Sequence, residues 1–328
     1  MKVIIVGGVA GGASCAARLR RLDEKAEILM VERGPYVSYA NCGLPYHVSG
    51  VIEKEASLLV ASEKLFHDQF AIDVRTHCEA VSISAKDKTV LLRNVLTGET
   101  TTESYDKLVL SPGAPSFCPP LPGVDLPGIF HVRTVPDART IRQWIESGTT
   151  LLTGMANYTG MQMDNGGIEV QTMSGKTYPA DIVIFAIGVR PETKLAQTAG
   201  IEIGECGGIR VSDSMQTSDP DIYAVGDAIE VKDFVTGKWS LVALAGPANR
   251  QGRIAADVIA GRDSKYRGTQ GTSIIGLFGG AAAWTGASEK TLKRLGDDDY
   301  ETPSDDLVKH LQAIIDEAFG RTPVSTAP

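Results

Sequence analysis

The chain opens on an unbroken apolar run, Val3-Ile4-Ile5-Val6, of the length of a buried strand. Glycines follow, then Ala13–Leu22 reads as a helix and Glu27–Glu32 as a second strand, so the pattern predicts a βαβ opening. Residues 36–50 read as a loop with a short helix. Short strands are expected at Ala71–Val74, Ala80–Ser84, Thr89–Leu92 and Lys107–Ser111. Pro119, Pro120 and Pro122 mark a linker, and Asp137–Ser147 reads as a helix. From Thr149 to Ile187 the pattern is strands and turns: Ile168–Gln171, a turn at Ser174-Gly175, and Ile182–Phe185. Strand signals return at Ile209–Val211 and Ile222–Val225, and Pro247–Ala260 reads as a helix. Near the C-terminus, Leu307, Val308, Leu311, Ile314, Ile315, Ala318 and Phe319 recur at helical spacing, and Thr322–Pro328 reads as disordered. There is no solenoid repeat and no low-complexity tract.

The glycine loop between the first strand and helix is Gly7-Gly8-Val9-Ala10-Gly11-Gly12, and Glu32 ends the next strand 20 residues after Gly12. This is a dinucleotide fingerprint with its ribose-binding acid, with Val9 in place of the middle glycine. Gly7 permits the turn, Gly12 permits close helix–strand packing, and the helix N-terminus offers free N–H groups to a pyrophosphate. The plainer alternative is a glycine-rich turn of another α/β fold. Far downstream, Thr217–Asp227 is a strand ending in Gly226-Asp227. Alone this is a turn; paired with the fingerprint, it closes on the same ligand, with Asp227 accepting from a ribityl hydroxyl. Ala245–Gly252 then opens a helix whose N-terminus can face a flavin carbonyl.

Composition narrows the class. With 328 residues and 43% hydrophobic content there is room for two or three domains, and 35 glycines suit a nucleotide-binding protein. A net charge of −8 argues against nucleic-acid binding. No apolar run approaches the roughly 18 residues of a membrane span. The N-terminal apolar run is too short for a signal peptide, so a cytoplasmic protein is expected. The five cysteines, Cys15, Cys42, Cys78, Cys118 and Cys206, are scattered without CxxC or metal-ligand spacing, so neither a disulfide framework nor a metal site is expected.

The segments Gly7–Gly12, Ser38-Tyr-Ala-Asn-Cys-Gly-Leu-Pro-Tyr46, Ser111-Pro-Gly113, Ala186-Ile-Gly-Val-Arg-Pro191, Tyr223–Asp227 and Ala245–Gly252 resemble the coenzyme A-disulfide reductases. These are the single-cysteine branch of the FAD-dependent pyridine-nucleotide disulfide oxidoreductases, beside persulfide reductases, NADH oxidases and NADH peroxidases. The resemblance covers residues 1–150 and 165–295. It implies an α/β fold: a Rossmann-like FAD domain split in sequence (1–108 and 200–262), a reduced NAD(P)H-type domain (109–199) and a remnant dimerisation-like region (263–328). It implies FAD held by Gly7, Val9, Ala10, Gly11, Gly12, Glu32, Arg33, Ser38, Val81, Ser111, Gly113, Gly226, Asp227, Gly246 and Pro247.

Cys42 has no second cysteine a few residues away, so its acceptor must be a mixed disulfide with an external thiol or a sulfenic acid. If Cys42 begins a short helix, the N-terminal N–H groups lower its pKa. Without context a lone cysteine is a small buried hydrophobe, the reading kept for Cys15, Cys78, Cys118 and Cys206. The resemblance places Cys42 and Asn41 at the catalytic centre. Ser14, Arg18 and Arg21 share one helix face, which is a phosphate site or simply a solvated basic face. The resemblance implies coenzyme A contacts for them, with Ser38 and Asn41. Ala10 stands where peroxidases carry a histidine, which favours a coenzyme A disulfide or persulfide over peroxide.

The resemblance breaks after 147. A second fingerprint for NAD(P)H belongs there, but Leu151–Gly160 has none, and no helix pattern follows it. Gly188 and Arg190 are left on the nicotinamide side. The expectation is weakened NAD(P)H binding, with bare apolar surface where helices are missing or cover from the Leu307–Phe319 helix. Ser304–Pro328 has no counterpart in the reductases, and a homodimer would be weakened by truncation. Three functions stand open: an NAD(P)H-dependent reductase of coenzyme A disulfide or persulfide, a flavin protein no longer competent with NAD(P)H, and an oxidase or peroxidase acting through a Cys42 sulfenic acid.

Overall fold

The computed structural model describes residues 1–146, 151–154, 158–164, 167–277 and 279–296. The stretch around Thr149, the apolar pattern of Leu307–Phe319 and the tail Thr322–Pro328 lie outside them. The chain forms two compact units. One comprises Met1–Val231 with Trp239–Arg267, and the other Lys232–Lys238 with the residues from Gly268 onward. The expected divisions at 108/109 and 199/200 fall inside the first unit.

Strand β1 (Lys2–Val6) leads into helix α1 (Ala10–Leu22) and strand β2 (Glu27–Val31). The helix starts at Ala10 rather than Ala13, so it takes in the last two glycines of the loop. Next come the short helix α2 (Leu44–Val48), helix α3 (Glu63–Phe70), strand β3 (Asp73–Arg75), strands β4 (Cys78–Ser84), β5 (Thr89–Asn94) and β6 (Thr100–Ser104), and strand β7 (Lys107–Leu110). Helix α3 has no counterpart among the expected elements. Ser62 caps it by accepting from Leu65 N, and Ala71 ends it in a left-handed conformation. That turn at Ala71 moves the expected strand of 71–74 to Asp73–Arg75.

The insert between the two halves of the first unit is built from β8 (Ile129–His131), α4 (Val135–Glu146), β9 (Leu151–Gly154), β10 (Tyr158–Asp164), β11 (Gly167–Thr172), β12 (Thr177–Ala180) and β13 (Ile182–Phe185). It is followed by α5 (Lys194–Thr198), β14 (Ile209–Arg210), β15 (Ile222–Ala224), β16 (Ile229–Lys232), β17 (Trp239–Leu241) and α6 (Ala245–Ile259). The central sheet is parallel, in the order β15-β7-β1-β2-β3. Its inner strands are buried apolar runs, as sheets covered on both faces require. The chain therefore returns after the insert to complete the sheet with β15, which makes this part a Rossmann-like domain split in sequence.

The insert has its own parallel sheet, β8-β13-β9, and an antiparallel meander, β10-β11-β12. Strand β13 alternates between two layers. Ile182 and Ile184 pack with Ile141 of α4, while Val183 and Phe185 pack with Met161, Ile168 and Val170 of the meander. None of these four β13 residues is more than 8% exposed. At the insert's central strand the meander covers the face that α4 leaves open; the Leu307–Phe319 pattern, the expected alternative cover, lies outside the described residues. In the second unit, β18 (Ser273–Leu277) and β19 (Gly280–Trp284) form an antiparallel hairpin before α7 (Glu289–Leu295). Among the described residues no helix is long and apolar enough to cross a membrane, and no three His, Cys, Asp or Glu side chains gather as metal ligands would.

Candidate active site

The glycine loop is shaped by close backbone approaches. Gly7 has φ of +97°, and a Cβ there would stand 2.0 Å from the Ser111 carbonyl oxygen. A Cβ on Gly12 would stand 1.9 Å from the Gly7 oxygen. Val9 is the residue before α1, and no side chain caps the N–H groups of the first turn, at Ala10, Gly11 and Gly12. A polar anion can therefore meet free donors there. Gly252 of α6 is equally constrained, since its Cβ would lie 2.1 Å from the Gly11 oxygen. The two helices meet backbone to backbone at that point.

Glu32 accepts from Gly8 N and Gly34 N, both at 2.9 Å. A carboxylate has about four acceptor positions, so capacity is left for a ribose hydroxyl. A cleft of about 400 Å³ beside it is lined by Gly7, Glu32, Arg33 and Val81, with Glu192 and Lys194. The loop, the acid and the cleft fit the adenosine half of a dinucleotide.

At the other end, Gly226 N donates to the buried Gln251 Oε1 at 2.8 Å, and Asp227 Oδ2 accepts from Arg133 Nη2 at 3.1 Å. Arg133 also stands 3.1 Å from where a Cβ on Gly113 would sit. Sequence reading did not single out Arg133, because its partner is 94 residues away. Gly246 and Pro247 occupy the first turn of α6, as expected.

Cys42 lies in a 3-10 turn, Asn41–Gly43, that runs into α2. Its thiol is exposed. A cavity of about 580 Å³ brings together Ala10, Ser14, Arg18, Arg21, Ser38, Asn41 and Cys42. Asn249 and Arg253 of α6 join the same lining and were not anticipated. Ser14 Oγ donates to Asn249 Oδ1 at 2.8 Å, Arg18 pairs with Asp257 at 2.8 Å, and Arg21 sits 5.6 Å from the Phe70 ring centroid. Ser38 is left-handed, with φ of 47°, a state that costs a serine of order 1–3 kcal/mol. Its N–H donates to the Gly8 oxygen and its carbonyl accepts from Val60 N, both at 2.8 Å. Ser38 thus ties the glycine loop to the cysteine segment. Nearby, burial pushes the Tyr39 hydroxyl up to about 12.

The other cysteines divide. Cys15 is buried, and burial pushes its thiol up to about 12; burial also raises Cys78. Cys118 and Cys206 are exposed, which corrects their reading as buried residues. Each sits in a turn or proline-rich stretch that has no core to enter. Gly188 and Arg190 run beside 115–117. Phe117 N donates to the Gly188 oxygen at 2.9 Å, and the Arg190 guanidinium lies 3.9 Å over the Phe117 ring. Between β9 and β10 there are three residues, too few for the crossover helix of a dinucleotide-binding βαβ unit. This part of the insert does not fit NAD(P)H.

The family profile described as pyridine nucleotide-disulphide oxidoreductase matches in two overlapping pieces, 1–163 and 145–252. The NADH oxidase of Methanocaldococcus jannaschii is 30% identical, over 81% of this chain and 71% of that protein. A coenzyme A disulfide reductase of Staphylococcus aureus is 30% identical, over 89% of this chain and 78% of its own length. Among solved structures, reduced CoADR-RHD of Bacillus anthracis superposes with a TM-score of 0.85 at 41% identity, covering 90% of this chain. A NAD-dependent persulfide reductase of A. fulgidus gives 0.86 at 30% identity over 90% of this chain. The chain spans 63% and 66%, respectively, of the lengths of those two solved proteins.

Proposed function

The chain belongs to the pyridine nucleotide-disulphide oxidoreductases, a family that works with FAD and NAD(P)H, and from that premise we propose that it is an FAD-dependent reductase of coenzyme A disulfide or a related persulfide acting through Cys42. The observation that carries the reading is the cavity in which an exposed thiol meets Arg18, Arg21 and Arg253. Disulfides of a phosphorylated thiol need that combination: a nucleophilic sulfur at one end and cations for phosphates at the other. The relatives named for coenzyme A disulfide and persulfide support the substrate class.

FAD is assigned to the glycine loop, Glu32, Arg33 and Val81 on one side and to Ser111, Gly113, Gly226 and Asp227 on the other, with Arg133 added. Segments 1–108 and 200–262 carry most of these residues, and Ser111, Gly113 and Arg133 come from the stretch between them. FAD, if bound by these residues, would supply a two-electron store for the thiol chemistry. Cys42 thiolate attacks one sulfur of the disulfide, the S–S bond breaks, and one coenzyme A thiolate leaves. The mixed disulfide on Cys42 then takes up two electrons, which releases the second thiolate and restores the Cys42 thiolate. Asn41, Ser38 and Ser14 orient the substrate, and Arg18, Arg21 and Arg253 hold its phosphates. No step is assigned to NAD(P)H, because the insert's three-residue connection between β9 and β10 favours a second reading for electron entry: reduction by a donor other than a tightly bound nicotinamide.

Cys42→Ser tests the thiol chemistry. The variant is expected to keep bound FAD, seen as flavin absorbance, and to lose reduction of coenzyme A disulfide when dithionite is the electron source. Full turnover by the serine variant would assign the chemistry to another thiol.

A further inference from the structure

Helix α4 belongs to the insert, yet much of its bonding is to the cysteine segment. Its Val135 and Ala138 pack in one cluster with Leu44, the first residue of α2, and Leu58, both fully buried. One turn further along, Arg139 forks onto Glu55 at 2.7 and 2.6 Å, and its Nη2 also reaches the Tyr36 hydroxyl at 2.7 Å. Arg142 follows at the i+3 position. Its Nη1 donates to the carbonyls of Glu53, His47 and Ile52 at 2.9, 3.3 and 3.4 Å, and its Nε pairs with Glu146 at 3.0 Å. His47 is itself buried, its Nδ1 2.7 Å from the Ile52 oxygen.

Tyr36 precedes Cys42, and His47–Glu55 follow it. Two arginines on one helix therefore hold both limbs of the segment that carries the thiol. The carbonyls under Arg142 are that of His47 in the last turn of α2 and those of Ile52 and Glu53 in the stretch that follows it, so one guanidinium ties the helix to its exit segment. A five-residue helix has little stability of its own, so α2 keeps its place through these outside contacts. The fork on Glu55 is charge-assisted and holds that carboxyl below its ordinary range.

We propose that Arg142 and Arg139 are positioning residues for the thiol: α4 clamps the cysteine segment so that Cys42 stays in the basic cavity. Neither arginine is among the residues lining that cavity; both act through the loop. The insert then has a task that does not depend on holding a dinucleotide. The inference rests on the reading of Cys42 as the reactive thiol.

The experiment uses the full chain with FAD, in a Cys118→Ser/Cys206→Ser background that removes the other exposed thiols. Cys42 is titrated with two aryl disulfides, the dianionic dithiobis(nitrobenzoate) and the neutral dithiodipyridine. Each attack breaks the reagent's S–S bond, leaves a mixed disulfide on Cys42 and releases one aryl thiolate, which is counted by absorbance. In the cavity, Arg18, Arg21 and Arg253 favour the dianion. Arg142→Ala is expected to lower the ratio of anionic to neutral rate constants about fivefold or more, the scale of one ordinary net hydrogen bond. Arg142→Lys should recover part of that loss and Arg139→Ala should lower the ratio less, with flavin absorbance retained in all three. Thermal melting separates this from a general loss of fold, which would lower the melting temperature without changing the ratio in the molecules still folded. A ratio unchanged in both Arg142 variants would overturn the clamp. A parent protein with no preference for the dianion would overturn the cavity reading instead; the clamp would then stand if Arg142→Ala still changed the neutral reagent's rate about fivefold and fall if it did not.

Discussion

Arg18 and Arg21 reach the same cavity as Cys42 although they sit on α1, in front of a different part of the chain. Each already has a neighbour, Asp257 for Arg18 and the Phe70 ring for Arg21, and these hold the guanidinium groups at the cavity wall. Replacing both with alanine removes two of the three arginines lining the cavity. A charge-assisted phosphate contact is worth roughly 1.5–3 kcal/mol, so the Michaelis constant for coenzyme A disulfide should rise about tenfold or more. Flavin absorbance and dithionite reduction should not change. Steady-state kinetics of the double variant decide this, and an unchanged constant would return the pair to a solvated surface face. At this scale the sequence was legible where sterics dictate residue type. Gly7 and Gly12 announce themselves because no side chain fits where the Ser111 and Gly7 carbonyls lie. Arg133, Asn249 and Arg253 were not legible. An arginine on a helix or after a strand reads as solvent-facing until the fold brings its partner in from a distant segment, as it brings Asp227 to Arg133.

The elements were legible to the extent that their apolar pattern is local. β1, β2, β7 and β13 are continuous buried runs, and each was expected close to where it lies. Strand β6, Thr100–Ser104, carries only Thr, Glu and Ser and shows no apolar alternation to read. Helix α3 depends on Ser62 at one end and a left-handed Ala71 at the other, which eight residues of mixed polarity do not advertise. β13 shows what a pattern alone leaves open: four buried residues imply two covering layers but not which elements supply them. Since Phe185 closes the meander side, Phe185→Ala should cost about 3–5 kcal/mol, the usual scale for a large aromatic removed from a core. Chemical denaturation measures it, and a loss under about 1 kcal/mol would mean that the meander does not seal β13. The Arg139–Glu55 contact between α4 and the cysteine segment carries a pH signature. The hydrogen bond from Arg139 lowers the folded Glu55 pKa below the ordinary 4.5. Its stabilisation is therefore complete above the unfolded value and is lost as pH falls through the lower folded one. The melting-temperature gap between the parent and Glu55→Gln should be widest above pH 4.5 and close in more acidic solution. A gap that widened on acidification would have the wrong sign for this pair.

For the whole molecule, the decisive question is how electrons enter. The split α/β sheet, the glycine loop and the return of β15 after the insert make a Rossmann-like domain, and that architecture was legible because its two glycine-bearing segments bracket the insert. The insert is a different object. Its parallel sheet has three strands, α4 on one face and the meander on the other, and only three residues lie between β9 and β10. The comparison with the coenzyme A disulfide reductase spans 346 positions against a chain of 328, so this chain lacks residues which that relative has. The family profile matches in two pieces that overlap over 145–163. Hydride transfer needs reacting atoms about 3–3.5 Å apart, and binding that fixes this geometry can supply roughly 7–11 kcal/mol of the barrier. A glycine turn at a helix N-terminus normally supplies that grip through the pyrophosphate. Gly188 and Arg190 cannot replace it: the first meets Phe117 through its backbone and the guanidinium of the second lies 3.9 Å from the Phe117 ring centroid. NADH and NADPH are therefore expected to reduce the flavin slowly, with a rate that rises linearly and does not saturate at millimolar concentrations, while dithionite reduces it fully. Anaerobic stopped-flow mixing of the oxidised protein with each nucleotide makes the measurement. Fast, saturable reduction by either one would mean that a nucleotide site forms without a fingerprint, and electron entry would then follow the family's ordinary route.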